Sequence, residues 1–169
     1  MKRLLLASLS LVLISAFFVG SASRATAKEP KILEFDTMVG VPAGLTGAAS
    51  QPVLRGIRGG GLPWMLTSAH GALTTSGKLE IEVQGLVLAA GTNTGSNPAA
   101  IFRGLVSCLG SDGSVNNVLT GPFPATTGPA SAGGGNAKIE TVISLPQPCI
   151  APIIFVTNDG GSWFAATGN

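Results

Sequence analysis

The chain has 169 residues, with 10 Lys and Arg, 8 Asp and Glu and a single His, for a formal net charge of +2 at pH 7. Gly is abundant at 24 residues, Tyr is absent and only 11% of the residues are charged, which is typical of a turn-rich all-β protein. The few Lys and Arg are dispersed. This excludes nucleic-acid binding, which needs a cationic face that neutralises several phosphates.

The first 27 residues have the pattern of a secretory signal peptide. Lys2 and Arg3 precede an apolar run over residues 4–20, and Ala27 ends an A-x-A cleavage pattern. A cut after Ser23 is the alternative cleavage position. An uncleaved membrane anchor is the other alternative, because an apolar run of about 17 residues is at the lower limit for spanning a bilayer.

Removal of the signal peptide changes the charge of the protein. Lys2, Arg3 and Arg24 leave with it, so 7 basic residues remain against the same 8 acidic ones, and the net charge becomes −1. Residues 28–169 have the length of one ordinary domain. No second stretch of the sequence is long and apolar enough to span a membrane. We therefore predict a single secreted or cell-envelope domain without a membrane span.

The first half of this domain alternates strand-like runs with turn signals. Three β-compatible runs come first, at residues 31–42, 52–59 and 64–73. The three glycines at 59–61 predict a hairpin loop, because glycine readily adopts positive φ angles. Residues 78–84 are the clearest strand, since apolar and polar side chains alternate with a period of two. Gly85 then interrupts this alternation and predicts a β-bulge.

The second half of the domain continues in the same way. Further strand-like runs lie at residues 100–110, 137–146, 149–158 and 162–168. Residues 111–117 are predicted as a turn and the Gly- and Pro-rich residues 120–136 as a long surface loop. A terminal hairpin is predicted around residues 159–161. About eight short strands predict an antiparallel two-sheet sandwich of immunoglobulin-like or Greek-key type, with a small closed β-barrel as the alternative.

Two cysteines, Cys108 and Cys149, lie within the predicted domain. In an oxidising compartment, two cysteines most simply form one disulfide. Two buried free thiols or a metal site are the alternatives. A zinc site is disfavoured because two Cys and one His supply too few ligands for tetrahedral coordination. The sequence therefore predicts a disulfide, no metal and no cofactor.

Three aromatic residues, Trp64, Trp163 and Phe123, are the candidate binding residues. Exposed tryptophans on a rigid β-scaffold can stack on sugar rings or anchor a protein partner. Phe123 lies within the predicted loop between two prolines, where it could form a contact element. The alternative is that both tryptophans pack in the core or at its edge.

Ser68 and His70 share a face of an extended strand because they lie two residues apart. A hydrolase would also need an orienting carboxylate and an oxyanion hole, and the chain has no G-x-S-x-G pattern. Glu80 and Glu82 lie about 7 Å apart on one strand, within glycosidase spacing by distance alone. Beside Lys78, however, such a pair is typical of a solvated face. The sequence therefore predicts no catalytic residue.

Four strings, "FDTMVGVP", "GGGLPW", "GPFPAT" and "CIAPIIFVT", together resemble a group of small exported bacterial proteins described only as hypothetical. The resemblance implies a bacterial, secreted protein and assigns no activity. With the predicted fold, we expect a non-enzymatic binding or surface-structural module whose partner is an envelope glycan or a surface protein. The alternatives are a small secreted hydrolase using Ser68 and His70, or a subunit of an extracellular assembly. The sequence does not determine the oligomeric state.

Overall fold

The computed structural model describes residues 28–46 and 53–168, so the predicted signal peptide lies outside the described residues. The strands in chain order are β1 (Lys31–Phe35), β2 (Val39–Gly40), β3 (Trp64–Met65), β4 (Ser68–Thr74), β5 (Lys78–Gln84), β6 (Val87–Leu88), β7 (Ser96–Asn97), β8 (Ile101–Leu109), β9 (Val115–Leu119), β10 (Phe123–Pro124), β11 (Gly128–Pro129), β12 (Ala137–Val142), β13 (Ile150–Thr157) and β14 (Trp163–Ala166). Two short 3-10 turns accompany them, at Ala43–Leu45 and Ala130–Ala132. Eight of these strands have four or more residues, which agrees with the predicted number.

The strands form two main antiparallel sheets. Sheet 1 has the order β1-β4-β5-β12, and sheet 2 has the order β10-β8-β13-β14-β2, with β9 also paired to β8. Two short pairs, β3 with β6 and β7 with β11, complete the described strands. None of the sheets in the described part of the chain closes into a barrel. The predicted antiparallel sandwich is therefore confirmed over the barrel, whereas its immunoglobulin-like character stays a prediction.

The core lies between the two sheets. The period-two pattern of β5 is confirmed, because Leu79, Ile81 and Val83 are each at most 1% exposed. On β8, a Cβ at Gly104 would lie 3.1 Å from Leu79 Cδ2 and 3.2 Å from Ile81 Cδ1. The even-numbered positions of β8 therefore face sheet 1. Each fully buried aliphatic side chain of this interface contributes about 1.5–3 kcal/mol.

Gly85 ends strand β5 rather than forming the predicted bulge. It adopts φ 62°, a left-handed conformation that glycine tolerates. Its N–H donates to Asn136 Oδ1 at 2.9 Å, and the next N–H, from Leu86, donates to the carbonyl of Gly135 at 3.0 Å. The chain thereby leaves sheet 1, and the following strand β6 pairs with β3 instead.

The run at residues 52–59, predicted as a strand, contains a tight turn. Arg55 and Gly56 occupy its centre with φ 53° and 77°. The turn is closed at both sides by backbone hydrogen bonds of 3.0 and 2.9 Å between Leu54 and Ile57. Two successive positive φ angles are the signature of a type I′ turn. The reversal therefore precedes the glycines that we expected to form it.

Gly59, Gly60 and Gly61 do not adopt positive φ, so the prediction that they form a hairpin loop is wrong. The first two instead allow close packing. A Cβ on Gly59 would lie 2.1 Å from the carbonyl oxygen of Leu45, and a Cβ on Gly60 would lie 2.9 Å from the ring of Phe164. A Cβ on Gly61 would meet no atom within 4 Å.

Residues 53–60, named here the crossing segment, run over the outer face of sheet 2. Asn117 Nδ2 on β9 donates to the carbonyl of Arg55 at 3.1 Å, and Arg55 Nη2 donates to a carbonyl of β13 at 3.0 Å. At the far side, the N–H of Gly60 donates to the carbonyl of Trp163 at 2.7 Å. This cover buries side chains that point away from sheet 1, among them Ser107, Phe155 and Thr157.

Residues 111–136 are more regular than predicted. The expected turn at 111–117 contains the start of β9, which pairs with β8. The expected loop at 120–136 contains β10 and β11, which pair with β8 and β7. Backbone hydrogen bonds of Thr126 fix the far end of this segment. The N–H of Thr126 donates to the carbonyl of Asn136 at 3.0 Å, and the carbonyl of Thr126 accepts from the N–H of Gly135 at 2.7 Å. These pairings join distant segments, which local composition does not indicate.

Two further predictions are confirmed. Cys108 and Cys149 form a disulfide with a Cα–Cα distance of 4.8 Å. Strands β13 and β14 form the terminal antiparallel hairpin. Within its turn, Gly161 adopts φ 83° and donates its N–H to the carbonyl of Asn158 at 3.1 Å.

Candidate functional site

Trp64 lies in the core between the sheets rather than on the surface. Strand β3 carries it, and its side chain is only 6% exposed. Its ring stacks on Phe164, with centroids 3.9 Å apart and an interplanar angle of 22°. It also meets the edge of Phe102 at a centroid distance of 6.5 Å. Of the two alternatives for this residue, core packing is the one observed.

Trp163 is buried on the opposite side of sheet 2, beneath the crossing segment. It is 3% exposed and packs edge-on against Phe155 at a centroid distance of 5.9 Å. Phe123 is half-buried, stands opposite Phe102 in the β10–β8 register and packs against the core. The binding role predicted for the two tryptophans therefore lacks the exposed ring that stacking on a ligand requires.

Ser68 and His70 lie on strand β4 and face solvent from sheet 1. Their partners across β5 are Gln84 and Glu82, respectively. His70 Nε2 lies 3.6 Å from Glu82 Oε2, which is beyond ordinary hydrogen-bond distance. A serine, a histidine and a carboxylate thus share one face, but the His70 side chain is 58% exposed. The sheet surface here is open to water, whereas nucleophilic catalysis relies on a tightly ordered and shielded arrangement.

The rest of this outer face is a network of opposite charges. Lys78 Nζ lies 2.5 Å from Glu80 Oε1 and 3.8 Å from Glu140 Oε1, and Lys138 Nζ lies 3.1 Å from Glu140 Oε2. The hydrogen bond and charge of Lys78 lower the pKa of Glu80, and Glu80 in turn raises the pKa of Lys78. Glu80 is therefore held ionised by its neighbour, as a solvated salt-bridge network requires, and not raised in pKa as a general acid would be.

A groove of about 490 Å³ lies at one end of this face, beside the chain that follows β10. Its polar lining residues are Glu82, Gln84, Thr126, Asn136 and Lys138. Its volume falls within the range of about 300–1,000 Å³ that is usual for ligand sites. The groove exists because the isolated bridge of Ala125 to Ala137 brings the connecting chain alongside β12.

The polar residues of the groove divide into two groups. Thr126 and Asn136 join the segments that line the groove. The N–H of Asn136 donates to Thr126 Oγ1 at 2.9 Å, and Asn136 Oδ1 accepts from the N–H of Gly85. Glu82 and Lys138 stand directly opposite each other on β5 and β12, and their side chains are 41% and 66% exposed. A carboxylate and an ammonium group can therefore contact a bound molecule.

Gln84 supplies a neutral amide to the same groove and is exposed. Its Nε2 lies 3.4 Å from Glu82 Oε1, a long contact that leaves the amide available to a ligand. Sequence reasoning identified Glu82 as part of a solvated face but missed Gln84, Thr126, Asn136 and Lys138. No local signal indicated them, because the two walls come from segments about 50 residues apart, as the separation of 51 between Gly85 and Asn136 shows.

Within residues 28–46 and 53–168, no three His, Cys, Asp or Glu side chains are grouped so that they could hold a metal ion. In the same ranges, no helix is long and apolar enough to cross a membrane. Comparisons with protein-family models, with curated proteins and with solved structures gave no match.

Proposed function

We propose that the protein is a secreted, non-enzymatic binding module of the bacterial cell surface, and that its groove binds a cell-envelope glycan. The observation that carries the proposal is the convergence of Glu82, Gln84 and Lys138 on one groove above the paired strands β5 and β12. Secretion is supported by the predicted signal peptide and by the disulfide, which oxidising compartments favour. Bacterial origin rests on the resemblance of the sequence to small exported proteins.

The chemistry of the groove favours a polyhydroxyl ligand. A carboxylate accepts hydrogen bonds, an ammonium group donates them, and an amide does both, which together match the hydroxyl groups of a sugar chain. Because Glu82 and Lys138 carry opposite charges, these groups do not select a strongly charged ligand. None of the described residues bordering the groove is aromatic. Binding then depends on a few hydrogen bonds, each contributing about 0.5–1.5 kcal/mol for the amide of Gln84 and about 1.5–3 kcal/mol for a charged group, so we expect a Kd near the millimolar range.

The direct test is co-sedimentation of the protein with isolated envelope polysaccharide. The variants Glu82→Ala and Gln84→Ala remove groove contacts. Glu34→Ala on β1 is the matched control, because it removes an exposed carboxylate from the far edge of the same sheet. Loss of one hydrogen bond to a charged group costs about 1.5–3 kcal/mol. We therefore expect retention of the Glu82 variant to fall at least about tenfold.

Two results would refute parts of this proposal. If the wild type is not retained, the ligand is not an envelope glycan. If the groove variants are retained as well as the Glu34 variant, binding occurs elsewhere on the molecule. Circular dichroism of each variant separates loss of contact from loss of folding.

One observation favours a second function, namely the shared face of Ser68, His70 and Glu82. This supports the hydrolase that the sequence suggested as an alternative. A screen of ester and peptide substrates tests it. An activity that is lost in a folded His70→Ala variant would replace the binding module by an enzyme.

A further inference from the structure

Among the strands that the structure describes, β9 is an edge strand that is paired on one side only. It pairs with β8 along one side over its whole length, from Val115 opposite Leu109 to Leu119 opposite Leu105. No described strand pairs with its other side. An unpaired row of backbone N–H and C=O groups is a template for another strand. The free side of β9 is therefore a potential site of strand addition.

The hydrogen bonds at both ends of β9 show which of its backbone groups point toward β8 and which point away from it. The N–H of Thr120 donates to the carbonyl of Gly104 at 2.9 Å, and the N–H of Gly110 donates to the carbonyl of Ser114 at 2.9 Å. Antiparallel ladders alternate, so the even-numbered residues from Ser114 to Thr120 direct their backbone groups toward β8.

The odd-numbered residues Val115, Asn117 and Leu119 consequently direct their N–H and C=O groups away from the sheet. Their side chains lie on one face, because residues two apart in a strand share a face. Val115 and Leu119 are 46% and 40% exposed. Ile150, aligned with Val115 through Leu109, is 46% exposed and extends this apolar surface.

β9 also lacks the usual protection of an edge. Its sequence VNNVL has neither a charged residue nor a proline. The outer strands of sheet 1 differ, since β1 carries Lys31 and Glu34 and β12 carries Lys138 and Glu140. Charged edges oppose pairing with other chains. The edge of β9 can therefore pair with a strand of another chain, whereas the charged outer strands of sheet 1 disfavour such pairing.

The occupant that this pattern fits is a second copy of the same strand. In an antiparallel pair centred on Asn117, Val115 of each copy stands opposite Leu119 of the other, and the two Asn117 residues stand opposite each other. All three pairs then exchange backbone hydrogen bonds, apolar side chains meet apolar ones, and no charges are opposed. We propose that the protein dimerises through antiparallel pairing of β9 with β9 of a second copy.

This inference is independent of the proposed glycan site, because the groove lies on β5 and β12 of the other sheet. Sedimentation equilibrium of the protein produced from the full-length chain is the test. Two double variants distinguish the register. Val115→Lys with Leu119→Lys places lysines opposite each other across the dimer, whereas Val115→Lys with Leu119→Glu places each lysine opposite a glutamate. Val142→Lys, a surface site 69% exposed on β12, is the control.

We expect the wild type and the Val142 variant to be dimeric, and the Lys/Glu variant to dimerise at least about tenfold more tightly than the Lys/Lys variant. A wild type that is monomeric at all concentrations would overturn the proposal. A Lys/Lys variant that dimerises as tightly as the Lys/Glu variant would overturn the β9 interface and its register. Thermal unfolding of each variant confirms that it is folded.

Discussion

Replacement of Gly59 by alanine tests why the glycines of the crossing segment are there. The new Cβ would lie 2.1 Å from the carbonyl oxygen of Leu45 and 2.5 Å from Val41 Cγ2, far inside normal contact. The carbonyl belongs to the backbone and cannot rotate away. Overpacking of this kind costs about 1–3 kcal/mol. We expect Gly59→Ala to lower the free energy of unfolding by about 3 kcal/mol.

Gly61→Ala is the matched control two residues away. Its Cβ would meet no atom within 4 Å, and its φ is not positive. Such a substitution reduces the freedom of the unfolded chain and stabilises by about 0.4–1 kcal/mol. Urea unfolding followed by tryptophan fluorescence measures both variants, because Trp64 and Trp163 are buried and become exposed on unfolding.

If the two substitutions change the free energy of unfolding equally, the close-packing explanation is refuted. The glycines would then be explained better by a role in a turn. If Gly59→Ala does not fold, Gly60→Ala supplies the measurement. The atoms nearest to its Cβ belong to the side chains of Phe164 and Trp64, at 2.9–3.2 Å. Side chains can yield, so we expect a smaller loss of about 1–2 kcal/mol.

Three further predictions concern the disulfide, the charged face and the histidine. Replacing Cys108 and Cys149 by serine should lower the free energy of unfolding by up to about 4 kcal/mol, because the bridge joins cysteines with a sequence separation of 41. Urea unfolding with and without reductant measures this loss. The pKa of Glu80 is lowered by Lys78 from 4.5, so its stabilising effect is present above this pH and is lost as pH falls through the folded-state pKa. The melting temperature of Glu80→Gln should therefore fall less steeply below about pH 4.5 than that of the wild type. His70→Ala should leave retention on envelope polysaccharide unchanged, as co-sedimentation will show.

Each of these has a contrary outcome. Unchanged stability after loss of the disulfide would mean that the unfolded chain is not restricted by it. If the melting temperatures of Glu80→Gln and the wild type fall in parallel with pH, the loss of stability in acid is due to other carboxylates. Glu34 is one such group, because its pKa is lowered by Lys31. Loss of retention in His70→Ala would place the imidazole in the binding site.

Local alternation was sufficient to predict the clearest strand. In β5, the buried Leu79, Ile81 and Val83 were identified because a strand between water and a core imposes a period of two on its own sequence. The Cys108–Cys149 bridge followed from the number of cysteines together with the predicted secretion into an oxidising compartment. The hairpin of β13 and β14 followed from its local turn residues.

The candidate site could not be predicted in this way. Gln84 and Asn136 are unremarkable polar residues in their own segments, and they share a groove only because β12 pairs with β5. The burial of Trp163 depends on the crossing segment, which is about 100 residues earlier in the chain. No periodicity within either segment carries this information.

The sequence by itself determined the all-β class, the face of β5 that is buried and the pairing of the cysteines, because each depends on local alternation or on simple counting. The tertiary structure alone decided that Trp64 and Trp163 are core residues, that Gly59 allows two segments to approach, and that a groove forms beside β12. The physical reason is that these features arise where distant segments meet. The burial of a side chain and the space around a backbone atom depend on partners that the local sequence does not specify.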